Sequence, residues 1–145
     1  MTPYPHTYVV GATAAAMGNV SLDSPGLAGL ESAPPEQFGG PGDLWSPETL
    51  LCAAVADCFV LTFRSISRAS KFEWKRLDCK TEAVLDRVDG VSRFSLCTTF
   101  VRLTVPAGTD QEKARQLLEK SEKACLVANS LLAERRLEIK VLSGE

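Results

Sequence analysis

The sequence predicts an α+β protein with a mostly antiparallel sheet. Three features lead to this class: a long apolar helix near the middle of the chain, an alternating hairpin directly after it, and an amphipathic helix that precedes a last strand. Strands and helices grouped in this way are typical of α+β architecture. The 145 residues, 45% hydrophobic and 23% charged, fit one domain over residues 1–145 that needs no disulfide or metal to hold its core.

The chain begins with two or three small predicted strands. Residues 7–13 are rich in β-forming side chains, and residues 20–22 and 27–30 are short apolar pieces between glycines and prolines. Residues 32–42 hold three prolines and three glycines, so we expect a loop there.

A buried central helix is the clearest predicted element. Ser46 can cap its first amides, Pro47 suits the first helical position, and the carboxylate of Glu48 suits the positive end of the helix dipole. The helix extends to about residue 70, and its apolar side chains cover most of the circumference, which indicates protein on all sides. Residues 50–63 are interrupted by Asp57 and are shorter than the roughly 20 residues of a bilayer span, so no membrane partner is predicted.

A hairpin, a helix and a strand complete the chain. Residues 73–88 alternate between apolar and charged, Asp89 and Gly90 form a turn, and residues 91–105 make the return strand. In that strand the apolar residues switch from even-numbered to odd-numbered positions, which predicts a bulge near residue 100. A helix capped by Thr109 or Asp110 follows, and its apolar stripe is Ala114, Leu117, Leu118, Ser121 and Ala124 or Cys125. Asn129 and Ser130 are expected to break the helix or to cap a new one. Residues 136–142 alternate as a last strand.

Charge is distributed unevenly along the chain. The net charge is −2, so no nucleic-acid partner is expected. No lysine or arginine precedes Arg64, and the acidic residues before it carry a charge of −6 against +4 for the remainder. The acidic part of one copy could lie against the basic part of a second copy, which favours a homodimer. The alternative is that water solvates each part separately.

Cysteine is the residue type that can carry chemistry here. His6 is the single histidine, and there is neither a Cys-x-x-Cys pair nor a glycine-rich phosphate loop, which argues against catalytic triads, metal sites and nucleotide binding. Five cysteines without a signal peptide point to a reducing cytoplasm. Cys58, beside Asp57 in the apolar helix, is the unusual polar residue, although packing as a small hydrophobe would also explain it. The other four cysteines are expected to pack in the core: Cys52, Cys79, Cys97 and Cys125. For Cys97, near the predicted bulge, the sequence separates packing from chemistry least clearly.

Two motifs resemble the OsmC and Ohr family of thiol peroxidases, in its OsmC-like branch. They are Ser46-Pro47-Glu48-Thr49-Leu50-Leu51 with Ala53-Ala54 and Cys58, and Cys125-Leu126-Val127-Ala128-Asn129-Ser130-Leu131. The family has a peroxidatic cysteine ten residues after the motif glutamate, and a partner cysteine in the second motif. The resemblance spans essentially the whole chain and implies an OsmC-like fold, a mostly antiparallel sheet wrapped around the central helix.

The resemblance also implies an activity. Cys58 would be the peroxidatic thiol that reduces organic hydroperoxides in antioxidant defence, without metal, flavin or haem, and Cys125 would resolve the sulfenic acid as a disulfide. A thiol reductant, dihydrolipoamide in the Ohr branch, would reopen that disulfide. Glu48 would be an orienting group; ten residues of helix separate it from Cys58 by about 15 Å, so it would approach the thiol of the partner in a homodimer. A first-turn carboxylate that stabilises the helix dipole is the simpler explanation of Glu48.

The sequence departs from the family pattern in two places. The family holds an arginine near the amino terminus with the motif glutamate, whereas residues 1–63 here contain no basic residue; Arg64, Arg68 or Arg93 are the candidates to replace it. Leu126 stands where the family has proline. Two other functions therefore stay open: an OsmC-like protein with little peroxidase activity that binds a small apolar or electrophilic ligand near Cys58, and a dimeric structural protein with five core cysteines.

Overall fold

A computed structural model describes residues 2–144 of the chain; Met1 and Glu145 lie outside the described residues. Along the chain the elements are β1 (Gly11–Thr13), β2 (Val20–Asp23), β3 (Leu30–Ser32), α1 (Pro47–Ala69), β4 (Arg76–Val88), β5 (Val91–Pro106), α2 (Gln111–Ala124), α3 (Leu126–Asn129) and β6 (Glu134–Gly144). The chain divides into two compact units, residues 1–51 and 52–145, with the boundary inside α1.

The first unit contains a three-stranded antiparallel sheet in the order β1-β2-β3. Strand β1 begins at Gly11, so the expectation of a strand from residue 7 is wrong for residues 7–10, which are exposed and have no partner strand. Strand β3 begins at Leu30 and not at residue 27, because the turn in which the Leu27 amide donates to the Ser24 carbonyl takes up the earlier residues.

The predicted loop over residues 32–42 carries a short 3₁₀ helix, Glu36–Phe38, and returns tightly on itself. The Gly40 amide donates to the Pro35 carbonyl, and a Cβ atom at Gly40 would lie 1.6 Å from the Pro34 carbonyl oxygen. Glycine is required at this position because any side chain would collide with that backbone.

Helix α1 starts with the cap that the sequence predicts. The Thr49 amide donates to Ser46 Oγ at 3.1 Å, and the Ser46 amide donates to Thr49 Oγ1 at 2.8 Å, which is a reciprocal capping box. In the single chain the helix buries one stripe, made of Val55, Phe59, Phe63 and Ser67. Other apolar positions of the helix stay open, and Leu61 is 52% exposed. The apolar circumference is therefore not fully covered within one copy.

The second unit is built on a sheet in the order β4-β5-β6. Strands β4 and β5 form the predicted hairpin, with positive φ angles at Asp89 and Gly90 in its turn. The bulge lies at Ser95, opposite the step between Val84 and Leu85, so the prediction of a bulge near residue 100 is wrong. From Cys97 to Val105 the odd-numbered residues of β5 are the buried ones, because the extra residue of the bulge, Ser95, moves the inward-facing side chains from even to odd positions.

Strand β6 lies parallel to β5, and the segment containing α2 and α3 makes the crossover. It runs from Glu134 to Gly144, longer at both ends than the predicted 136–142. Asp110 caps α2 by accepting from the Glu112 and Lys113 amides. Three of the four strand pairs among residues 2–144 are antiparallel, which confirms the predicted α+β class with a mostly antiparallel sheet.

The main core of the second unit lies between α1, α2 and the sheet. Its fully buried members are Phe59, Phe63, Val101, Leu103, Val105, Ala114, Leu117 and Leu118. The predicted stripe of α2 is confirmed by this cluster. By length and composition α1 could cross a membrane, but Phe59 and Phe63 are fully buried in this cluster, so we interpret α1 as a core helix.

Candidate active site

Cys58 lies on α1 at the edge of an open groove in the second unit. The groove has a volume of about 600 Å³, and the residues that line it are Ala54, Asp57, Cys58, Leu61, Thr62, Ser65, Ile66, Ala124, Leu126 and Val127. Cys58 is half-buried, and its sulfur is 3.9 Å from Thr62 Oγ1. The Thr62 hydroxyl donates to the Cys58 carbonyl at 2.7 Å. The thiol is therefore accessible to a small apolar molecule.

Cys125 sits at the junction between α2 and α3. Its amide donates to the Glu122 carbonyl, and its own carbonyl accepts from the Asn129 amide, so the residue ends one helix and begins the next. The side chain is 1% exposed and packs with Val55, Cys97 and Ala128. This junction faces α1, and the Cys125 sulfur lies 4.0 Å from the Val55 carbonyl oxygen.

The structure brings Cys58 and Cys125 together. Cys58 packs against the cluster that contains Cys125. Burial is the main cause that raises the pKa of Cys125 to about 11, and the interaction with Cys58 adds to the increase. Cys125 therefore keeps its proton near neutral pH, and its thiol donates to the Val55 carbonyl oxygen.

The other three cysteines are also free thiols held in less reactive surroundings. Burial raises the pKa of Cys79 to about 12. Burial likewise raises the pKa of Cys97, which is 3% exposed, and the pKa of Cys52. A buried thiol with a raised pKa is a weak nucleophile, so these residues behave as packing groups.

An arginine that the sequence analysis did not single out lies near this cluster. Arg135 pairs with Glu122, with 2.8 Å between Nε and Oε1, and the side chains are 24% and 16% exposed. It also donates to the Glu122 carbonyl and, at 2.6 Å, to Asn129 Oδ1. Arg135 is opposite Cys97 in the register of β5 and β6, and its charge lowers the pKa of that thiol against the larger effect of burial.

Arg64, Arg68 and Arg93 do not line the groove of Cys58, and the described lining residues include no lysine or arginine. The expectation that one of these three replaces the amino-terminal arginine therefore has no support in the groove. Arg135 could have been noticed from the sequence, because it shares the inward parity of Leu137 and Ile139 on a strand where a charge is unexpected.

Glu48 lies in the first turn of α1 and belongs to the first unit. It lines a separate cavity of about 500 Å³ whose other walls come from β1, β2 and the segment over residues 32–38. Its Oε1 atom is buried and has no hydrogen-bond partner among the described residues. A buried carboxylate oxygen without a partner is unusual in a folded protein.

The fold agrees with comparisons to known proteins. Residues 40–140 match the family described as OsmC-like protein, so the chain belongs to the OsmC-like family. A crystal structure of an organic hydroperoxide resistance protein from Elizabethkingia anophelis is 19% identical, with a TM-score of 0.79 over 99% of this chain and 100% of that chain.

Two further relatives carry less specific descriptions. An OsmC-like protein of unknown function from Vibrio cholerae is 14% identical, with a TM-score of 0.83 over 93% of this chain and 99% of that chain. The uncharacterized protein YmaD of Bacillus subtilis is 22% identical over 117 residues, which is 77% of this chain and 78% of that protein. The predicted family and fold are confirmed, and the fold is shared by proteins with and without an assigned role.

Proposed function

We propose that this protein is a thiol peroxidase that reduces organic hydroperoxides, with Cys58 as the peroxidatic residue and Cys125 as the resolving residue. The observation that carries the proposal is the contact between a groove-lining thiol and a buried second thiol. Membership of the OsmC-like family supports a peroxidase-related role. The Elizabethkingia anophelis relative is named for organic hydroperoxide resistance, which agrees with this substrate class.

The reaction uses two thiols for each peroxide. The Cys58 thiol first loses its proton to water, and the thiolate attacks the terminal oxygen of the hydroperoxide. The O–O bond breaks, Cys58 becomes a sulfenic acid, and the alkoxide takes up one proton from water and leaves as the alcohol. Cys125 then attacks that sulfur, water leaves, and a disulfide joins the two residues. Exchange with an external dithiol, such as dihydrolipoamide, returns both residues to thiols.

The described lining of the groove includes no basic residue, so the proposal does not rely on a cation beside Cys58. Cys125, whose pKa is raised to about 11, stays protonated near neutral pH until it attacks the sulfenic acid.

We also propose that the protein acts as a cytoplasmic homodimer and that residues 1–145 form one domain. The uncovered face of α1 around Leu61 is an apolar surface that a second copy would bury. In this arrangement Glu48 is an orienting group near the thiol of the partner. The uneven charge of the chain, acidic before Arg64 and basic after it, agrees with such an association.

A second candidate function is the binding of a small apolar or electrophilic ligand at Cys58, with little peroxidase activity. The absence of a basic residue from the described lining of a 600 Å³ apolar groove favours this alternative. The groove volume falls in the range of small-molecule sites.

Titration of the fully reduced protein with one equivalent of cumene hydroperoxide tests the proposal. We expect a rapid loss of two thiols and formation of one disulfide. Cys58→Ser should abolish the loss, and Cys125→Ser should leave a sulfenic acid that dimedone traps. Cys52→Ser, which removes a half-buried thiol from the same helix, is the matched control and should react as the unmodified protein does.

Thiol loss no faster than that of free cysteine would contradict the peroxidase proposal. Rapid and selective modification of Cys58 by a small electrophile in the same preparation would then support the binding function. Equal loss from Cys58→Ser and the unmodified protein would contradict both, because each assigns the chemistry to Cys58.

A further inference from the structure

A cavity on the outer face of the sheet β4-β5-β6 is separate from the groove of Cys58. Its volume is about 330 Å³, and residues 78–80, 100–102 and 138–140 of the three strands line it. The middle residues of these triplets, Cys79, Val101 and Ile139, pack in or against the main core of the second unit. Since successive side chains of a strand point to opposite faces, the other six side chains surround the cavity on the face away from α1 and α2.

Two positive charges lie side by side at this cavity. Arg102 is opposite Lys140 in the register of β5 and β6, and both side chains are exposed. Neighbouring strands are about 4.8 Å apart, and like charges directly opposite each other are destabilising. Neither residue forms an ion pair with any of residues 2–144. An anion between the two side chains would remove this repulsion and accept hydrogen bonds from both.

The nearest carboxylate in the register does not supply that anion. Asp78 is opposite Arg102 on the other side of β5, but it is bound to Arg76 with 2.9 Å between the charged atoms. The two cations at the cavity are therefore open to an external ligand, and a phosphate group has enough negative charge to neutralise both.

An aromatic ring lies beside these cations. Phe100 precedes Arg102 by two residues, so both side chains are on the outer face, about 6.7 Å apart along the strand. The Lys80 ammonium lies 5.5 Å from the centroid of the Phe100 ring, so one face of this half-buried ring is open to the cavity. A planar ligand ring would displace the flexible side chain of Lys80 from that face and leave its ammonium free for the phosphate.

Glu138 restricts the ligand further. It lies opposite Phe100 in the register of β5 and β6 and forms no ion pair among the residues that the structure describes. An ionised carboxylate only accepts hydrogen bonds, so it repels a ligand that is anionic throughout and suits a ring with an amino group. The cavity thus combines a site for phosphate, a surface for an aromatic ring and an acceptor for a ring amine.

We propose that this cavity binds an adenine mononucleotide, with the phosphate between Arg102 and Lys140, the base on Phe100 and the amino group of the base on Glu138. The chain has no glycine-rich phosphate loop, so side chains and not backbone amides hold the phosphate at this site. The inference goes beyond the proposed peroxidase function and does not depend on it, because the site uses neither Cys58 nor Cys125.

Binding of adenosine 5′-monophosphate to the full chain, measured by isothermal titration calorimetry at physiological ionic strength, tests this inference. Adenosine keeps the base and loses the phosphate, whereas ribose 5-phosphate keeps the phosphate and loses the base. We expect the mononucleotide to bind at least tenfold more tightly than either fragment.

Three variants complete the experiment. Arg102→Gln should reduce the affinity for the mononucleotide to that for adenosine, and Phe100→Leu should reduce it to that for ribose 5-phosphate. Arg136→Gln is the matched control, because this arginine lies on the same face of β6, is paired with Glu134 and is outside the cavity. It should leave binding unchanged. Arg102 is exposed, so its replacement keeps the test valid even where Phe100→Leu fails to fold.

Equal affinities for the mononucleotide and ribose 5-phosphate would overturn the inference, because the sheet would then attract any phosphate by charge alone. Equal losses of affinity in Arg102→Gln and Arg136→Gln would overturn it for the same reason, and so would the absence of saturable binding. Since every readout is a binding constant, failure here is distinct from failure of the peroxidase proposal, whose readout is thiol loss.

Discussion

At the scale of single residues, the five thiols differ in exposure and in pKa because their surroundings differ. Cys58 lines a groove and Cys125 is 1% exposed, although Cys58 packs against the cluster that contains Cys125. Burial raises the pKa of Cys125 to about 11 and that of Cys79 to about 12. The same residue type therefore provides a groove-lining thiol, a buried thiol that keeps its proton near neutral pH, and packing groups.

The raised pKa of Cys125 predicts a pH-dependent second step. Cys125 must lose its proton to attack the sulfenic acid, and well below a pKa of about 11 its thiolate fraction rises about tenfold per pH unit. Disulfide formation should therefore accelerate by about two orders of magnitude from pH 7 to pH 9. Quenched-flow samples with dimedone trapping and mass spectrometry measure this rate separately from sulfenic acid formation; a rate that is flat over this range would contradict the assignment of Cys125.

At the scale of secondary structure elements, Arg135 joins three of them. From β6 it reaches Glu122 on α2 and Asn129 at the end of α3, next to the helix junction that carries Cys125. Both charged side chains are less than a quarter exposed. Removal of one partner from such a pair leaves the other charge poorly solvated, which costs more than the loss of an exposed ion pair.

The Arg135→Met variant should lower the free energy of unfolding by about 2–3 kcal/mol, somewhat less than for a fully buried pair. Arg136→Met is the matched control on the next residue, because its pair with Glu134 is 59% and 63% exposed and should contribute less than about 1 kcal/mol. Urea unfolding measures both values. Equal losses in the two variants would show that burial of the Arg135 pair has no energetic consequence.

At the scale of the whole molecule, α1 has one covered and one uncovered face. Phe59 and Phe63 are fully buried in the core of the second unit, whereas Leu61 is 52% exposed beside the groove of Cys58. A helix that is apolar around most of its circumference is stable in water only if protein covers both faces. A second copy of the chain is the covering that we propose.

The Leu61→Arg variant should therefore convert the dimer into a monomer, because it places a charge in the apolar interface. Sedimentation velocity at micromolar concentration measures the outcome. Leu132→Arg is the control, since Leu132 is 86% exposed and lies off α1. A monomeric unmodified protein, or a dimer that persists in Leu61→Arg, would contradict the proposed interface.

Local patterns in the sequence were sufficient for most elements. The capping residues Ser46 and Asp110, the turn at Asp89 and the stripe of α2 act within a few residues, so their effects can be predicted without the tertiary structure. The bulge was misplaced because the parity of β5 depends on which face packs against the core. The one-domain assignment over residues 1–145 stays a prediction.

The sequence by itself determined the α+β class, the family and the candidate cysteines, since hydrophobic periodicity, caps and motif spacing are local properties of the chain. Only the tertiary structure decided that Cys58 packs against the cluster of Cys125, that Arg135 pairs with Glu122, and that Glu48 Oε1 is buried without a partner among the described residues. These facts depend on contacts and burial between residues far apart in the chain. No pattern along the sequence specifies such contacts, because burial changes the pKa and the pairing of a side chain only after the chain has packed.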